Sequence, residues 1–268
     1  EDHLRILRYF RFQARFGSGP ADTEAEEACS ELAPTLKGLS RERIGMEMLN
    51  LLGLPDPAPT VARMAELGVL QVVLPEADVA ALAALVAEEK RQSVAADPIR
   101  RLAAMLPADL SLAQLMASRF RLSGAQKKRL VLAAGRRGEP LPVRQGVGVE
   151  HVLQREISPG RLPPPPTPSP EREGEQAARA LAYRLGMDAA LDRLLLAGAD
   201  IAPIKGWAIP TFPLKGGEIV ARGVKAGPDV ARTLREIEDR WVAEGFADGE
   251  RVSQLLDEKL ASRSAGND

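Results

Sequence analysis

The sequence predicts an all-α protein, and three observations carry that prediction. Aromatic residues are only 4% of a chain that is 45% hydrophobic, so the core must rest on Leu, Ala, Val and Met. Leu and Ala favour helix, and the β-branched and aromatic runs that favour strands are scarce. Apolar residues also recur at helical spacing, punctuated by helix-start and helix-stop residues. The expected arrangement is an elongated array of short helices.

Residues 1–16 (EDHLRILRYFRFQARF) place Ile6, Leu7, Phe10 and Ala14 on one helical face, and Gly17 and Gly19-Pro20 stop the helix. The acidic stretch ADTEAEEA opens a second helix. Ser40 is placed to cap a third, running to about Leu52 with Glu42 in its first turn. Asp56-Pro57 and Asp97-Pro98 read as cap plus first helical residue, and Gly68 as a stop. Ser111 and Ser123 read as two further caps, so 57–137 holds four or five short antiparallel helices. Residues 158–175 carry seven prolines in eighteen positions, a density no helix or central strand survives, and read as an extended linker. Helical pattern resumes over about 176–199, and Trp207–Gly217 is a Pro/Gly loop. A short helix is expected near Glu218–Arg222. Gly227-Pro228 opens a stronger helix to about 244, with Val230, Leu234, Ile237 and Trp241 on its core side. A terminal helix follows near 249–261.

The net charge of −1 makes the whole molecule no obvious polyanion binder, so local charge must carry such an argument. The single cysteine, Cys29, excludes an intramolecular disulfide and fits a reducing cytoplasm. No apolar run is long enough to span a bilayer. The chain opens on Glu1 in what reads as mid-protein helix, so a fragment is expected.

The first helix is the most informative element. Arg5, Arg8, Arg11 and Arg15 cluster on one side of it. Arginine offers a planar fork of donors that suits a triphosphate, an RNA backbone or the edge of a base. Asp2 and Arg5, three apart, are surface neighbours that set an acceptor beside a donor. Periodicity alone equally allows a solvated basic face with an Asp2–Arg5 ion pair.

EDHLRILRYFRFQARFG resembles the EDxxR motif and following helix of the class II tRNA nucleotidyltransferase and bacterial poly(A) polymerase family. The match includes Glu1, Asp2, Leu4, Arg5, Leu7, Arg8, Arg11, Phe12, Ala14, Arg15 and Gly17. A second segment, LSRERIGMEMLNLL (39–52), is similar to the family's neck, with Ser40, Glu42, Arg43, Ile44 and Glu47 in place. Residues 212–241 resemble its tail segment, with Glu218 where an Asp is common. The resemblance is weak over 77–157 and absent over the proline-rich stretch.

The resemblance implies a neck (1–76), a body (77–157), the linker or insertion (158–175) and a tail (176–262). It implies that Asp2 and Arg5 act as a template for the base of incoming CTP or ATP, that Arg8 and Arg11 contact the nucleotide, that Glu1 helps orient them, and that Arg43 and Glu47 support them. The intact protein would add CMP and AMP to tRNA 3′ ends, or adenylate RNA tails. The family's DxD carboxylates, which hold two metal ions, have no counterpart here. GSGPAD (17–22) lacks a following carboxylate pair and reads as a helix stop. Magnesium is therefore expected only in a preceding catalytic head, and this chain alone is expected to be inactive. A non-catalytic helical RNA-binding module is the alternative from another class.

His3 and His151 with one cysteine provide no metal-ligand spacing. Residues 119–144 carry Arg119, Arg121, Lys127, Lys128, Arg129, Arg136, Arg137 and Arg144 against the single acid Glu139, either a contact for the tRNA acceptor and T-arm backbone or a solvated face. Lys215-Gly216-Gly217 and Gly227-Pro228 offer two possible phosphate cradles, each equally a plain turn or helix start. Lys215 is the candidate RNA contact there.

Overall fold

The computed structural model describes residues 3–17, 19, 21–134 and 170–264. Glu1, Asp2, Arg136, Arg137, Arg144, His151 and the linker's residues 158–169 lie outside the described residues. Among the described residues the fold is all-α with no strand, as expected. The chain divides into two compact units: residues 1–139 with 188–202, and residues 140–187 with 203–268.

The first unit contains α1 (Arg5–Phe16), α2 (Thr23–Leu32), a 3-10 turn (Ala33–Gly38), α3 (Arg41–Leu52), α4 (Ala58–Glu66), α5 (Val69–Val73), α6 (Val79–Arg91), α7 (Pro98–Met105), α8 (Leu110–Arg119) and α9 (Gly124–Ala134). Six helices, rather than four or five, fill the stretch from 58 to 134. Helix α11 (Met187–Leu196) returns to this unit from Asp188 onward, whereas the sequence reading groups it with 176–262.

Aspartates start four of these helices. Asp22 accepts from the Glu24 and Ala25 amides, Asp78 from Ala81, Asp97 from Ile99 and Arg100, and Asp109 from Ser111 and Leu112. Each carboxylate satisfies amides that a helix start leaves unpaired. Ser111 is therefore inside α8 and not its cap. Asp56 makes no cap either; it pairs with Lys90 Nζ at 2.7 Å. Ser40 precedes α3 as expected but makes no side-chain cap hydrogen bond. Ser123 does cap α9, its Oγ accepting from the Gln126 amide.

The core of this unit gathers Leu7 and Phe10 of α1, Ile44, Met48 and Leu51 of α3, Val61 and Met64 of α4, Leu82 of α6, Leu102 of α7, Met116 of α8 and Leu130 of α9. Helix α1 lies against α3 and α4, and α7 against α3, α6 and α9. Gly45 sets the approach of α3 to the end of α8. A Cβ there would stand 2.6 Å from the Phe120 carbonyl oxygen and 2.9 Å from its Cα. Alanine would improve helix propensity by about 1 kcal/mol, but backbone cannot yield as a side-chain tip can. We expect Gly45→Ala to cost about 1–3 kcal/mol net through overpacking, read as a lower urea midpoint with unchanged slope. An unchanged or higher midpoint would show that α3 can shift freely.

The second unit contains α10 (Pro170–Leu185), α12 (Gly216–Ala221), α13 (Pro228–Ala243) and α14 (Gly249–Ser264). Pro170, placed in the linker by the sequence reading, instead opens α10, where its fixed φ suits a first helical residue and its missing N–H costs nothing. Gly186, at φ 85°, ends α10, so the pattern over 176–199 is two helices and not one. Ile219, Ile237, Trp241, Leu255 and Leu256 form the core. Tyr183, Phe212 and Phe246 gather around Trp241, whose indole N–H donates to the Ala247 carbonyl at 2.6 Å, and Trp207 packs on Phe246. The Tyr183 hydroxyl donates to Glu238, and its pKa is pushed up to about 12, first by burial and then by that carboxylate.

Candidate functional site

Helix α1 buries Ile6, Leu7 and Phe10 and turns its arginines away from them. Two of these arginines share one carboxylate. Glu47 of α3 is buried; its Oε1 accepts from Arg8 Nε at 3.0 Å and its Oε2 from Arg11 Nε at 2.8 Å. Both guanidiniums are thereby held in fixed orientation relative to α3, while Arg8 keeps 41% of its side chain exposed. Arg5 is exposed one turn earlier. A row of oriented guanidiniums binds an anion with less ordering cost than free ones. The helix itself carries four arginines and no acid.

Beyond Gln13 and Gly17 a cleft of about 190 Å³ opens, lined also by Phe10, Glu26, Pro59, Thr60 and Arg63. Glu26 is engaged there by Arg63, at 2.6 Å from Nη2 and 3.0 Å from Nε. Burial, with Glu26 nearby, pushes the Cys29 thiol up, consistent with a packing role.

The basic cluster of α8 and α9 comes apart in the fold. Arg121, Lys127 and Lys128 are exposed. Arg119 faces Glu76 at 3.4 Å. Arg129 points inward, with a quarter of its side chain exposed. Its Nε lies 2.6 Å from Asp192 Oδ2 and its Nη1 2.8 Å from Asp97 Oδ2. Hydrogen bonding to Asp192 raises its pKa further and keeps it charged.

That contact belongs to an ion cluster inside the first unit which sequence reasoning missed. Arg100 Nε donates to Asp192 Oδ1 at 2.9 Å and its Nη1 to Glu89 Oε1 at 2.7 Å. Arg101 donates to Glu89 Oε2 at 2.8 Å and to the carbonyls of Leu52, Leu54 and Pro55. Three arginines face three carboxylates, so the charge closes to zero. Burial pushes the Glu89 carboxyl up, against the pull of Arg101 and Arg100. No local pattern announces this cluster, because its acids come from α6, α11 and the start of α7.

Asp97 behaves oppositely. Burial alone would raise its carboxyl, but the Arg100 amide and the Arg129 guanidinium outweigh it and hold the carboxyl below its usual value. A depressed folded pKa contributes stability above the unfolded value, about 3.9, and loses it as pH falls through the folded value. We expect Asp97→Asn, which keeps a capping oxygen, to flatten the decline of stability below about pH 4. Parallel acid-unfolding curves for variant and wild type would refute this.

At the start of α12 the Lys215 amide donates to Glu218 Oε1 at 3.2 Å. The acid closes the end at which a phosphate would sit. Gly227, at φ 141°, precedes Pro228 as a helix start. Both glycine turns thus read as helix starts. Among the described residues no cluster of His, Cys, Asp and Glu could hold a metal ion, and no helix is long and apolar enough to cross a membrane.

An arginine-lined helix is thus locked by its neighbour's carboxylate on an all-α scaffold. Residues 22–80 match the family model described as "Probable RNA and SrmB- binding site of polymerase A". Among curated proteins, the mitochondrial CCA tRNA nucleotidyltransferase 1 of Danio rerio is 27% identical over 90% of this chain and 52% of its own length. The Homo sapiens protein of the same name is 23% identical over 92% and 52%. This chain therefore spans about half the length of these relatives. The fold matches the Thermotoga maritima CCA-adding enzyme complexed with tRNA, at TM-score 0.61 and 18% identity over 97% of this chain and 61% of that one. It also matches a CCA-adding enzyme in complex with CTP, at TM-score 0.59 and 17% identity over 97% and 60%. The chain is similar in sequence to CCA tRNA nucleotidyltransferases and in fold to CCA-adding enzymes.

Proposed function

We propose that this chain supplies base selection and RNA binding to a nucleotidyltransferase that adds CMP and AMP to the 3′ end of tRNA. The observation that carries the reading is the Arg8–Glu47–Arg11 clamp, which pre-orients two donors for a nucleotide. Asp2 and Arg5 present the acceptor and donor that read the base, with Glu1 beside them, and Arg8 and Arg11 hold the nucleotide. Residues 1–76 act as neck, 77–157 as body and 176–262 as tail. Arg121, Lys127, Lys128 and Lys215 contact the acceptor and T-arm backbone. CTP and ATP are the substrates, magnesium is held by residues outside this chain, and the cytoplasm is the compartment. The relatives and structural neighbours, whose names include tRNA, CTP and CCA addition for those proteins, support this reading. The family description's mention of polymerase A keeps poly(A) addition as the second reading.

The test uses the protein that contains this chain, a tRNA lacking its CCA end, and each labelled nucleotide in turn. Addition of two C residues and one A supports the proposal. Long A tracts on any RNA, without C, support poly(A) addition. Asp2→Ala and Arg5→Ala should each lower discrimination between CTP and UTP by roughly 10- to 100-fold, the worth of one base-edge pair. Unchanged discrimination would remove both residues from base selection.

A further inference from the structure

Helix α1 carries two phenylalanines with no place in the core. Phe12 is 50% exposed and Phe16 66%. Phe12 points about 200° around the helix from buried Phe10 at 100° per residue, so its ring faces solvent and not α3 or α4. The two rings are four residues apart, nearly parallel at 21°, with centroids 5.9 Å apart. A guanidinium accompanies each: Arg11 lies 4.7 Å from the Phe12 centroid and Arg15 5.3 Å from that of Phe16. Exposed apolar area alone would suit many partners. Parallel rings bordered by cations, on a helix without an acid, suit one that is both flat-faced and anionic.

We propose that Phe12 and Phe16 form a stacking platform for unpaired bases at the 3′ end of the bound RNA, with Arg15 meeting the adjoining phosphate. The inference rests on the RNA-binding reading above and assigns it two residues. The occupant is the RNA strand and not the incoming nucleotide. Phe16 is eleven residues from Arg5, about 16 Å along the helix, beyond the base of a nucleotide read at Asp2 and Arg5.

The experiment uses the whole protein and a tRNA carrying 2-aminopurine as its terminal base. Anisotropy of a label in the T-arm reports tRNA binding, and 2-aminopurine fluorescence reports stacking of the end. Phe12→Leu/Phe16→Leu keeps apolar bulk but removes the π faces; Phe12→Tyr/Phe16→Tyr keeps them. The wild type and the Tyr variant should quench the probe on binding. The Leu variant should bind the tRNA body yet lose the quench, and should bind a short single-stranded RNA at least fivefold more weakly. Equal quenching and affinity in the Leu variant would overturn the platform and leave the RNA-binding reading standing. Loss only on Ala substitution would make the face an apolar docking surface for a protein segment, which also overturns it. No anisotropy change in the wild type would bring down the RNA-binding reading itself. Both positions are solvent-facing in this chain, where a melting curve for each variant should match the wild type.

Discussion

Asp192→Ala should cost the first unit about 3–5 kcal/mol, the penalty for leaving buried charge without its partner. Asp192 is fully buried and accepts three hydrogen bonds: one from Arg100 and two from Arg129. Alanine would leave Arg100, itself buried, with only Glu89 and the Ala95 carbonyl for its donors. Arg129 is a quarter exposed and can turn partly to water, so the loss should centre on Arg100. Urea unfolding with hydrogen exchange at α7 and α9 reads the effect on this unit alone. An exposed pair of the same unit, Lys90–Asp56, serves as control; exposed pairs are screened, and its loss should be far smaller. A drop below about 1 kcal/mol for Asp192→Ala, the range of exposed pairs, would mean that water reaches the cluster and that it is not a structural keystone.

Glu47→Gln should separate stability from function. The amide keeps one accepting oxygen but turns an NH2 toward a second arginine, so Arg8 and Arg11 cannot both stay docked. Both arginines reach solvent, so the stability loss should be modest, about 1–3 kcal/mol. Nucleotide addition by the protein containing this chain should suffer more, since misplacement by about 1 Å can cost some 100-fold. We expect a fall of that order in kcat/KM for CTP and for ATP alike, because the clamp holds the nucleotide without reading its base. Loss confined to one nucleotide would instead place Glu47 in base selection. Unaltered kinetics would show that Arg8 and Arg11 need no anchor.

The sequence showed much of this, and its failures have physical causes. The helical class followed from composition, and α1, α3, α7 and α13 from periodicity and boundary residues. Ser111 misled because a hydroxyl two residues after Asp109 looks like a cap, while the stronger acceptor takes the amides. Pro170 misled because proline both breaks helices and begins them, and only its position tells which. The inward turn of Arg129 was the least legible. Its neighbours Lys127 and Lys128 are solvated, and nothing near it in sequence reveals a carboxylate 63 residues away. The resemblance pointed to Glu47 as a support, but its double grip on Arg8 and Arg11 needed coordinates.

The return of residues 188–202 to the first unit bears on how the molecule is made. While the chain is being synthesised, Arg100 and Arg129 emerge well before Asp192. At about 5–20 residues per second, the gap from Ala134 to Asp192 is roughly 3–12 s. During that interval nascent α7 and α9 hold Arg100 and Arg129 with Glu89 and Asp97 but without Asp192, so the unit closes less stably as its own N-terminal portion appears. Its full charge balance therefore waits until α10 of the other unit has been made, and a ribosome stalled between the two would present chaperones with a core short of one carboxylate.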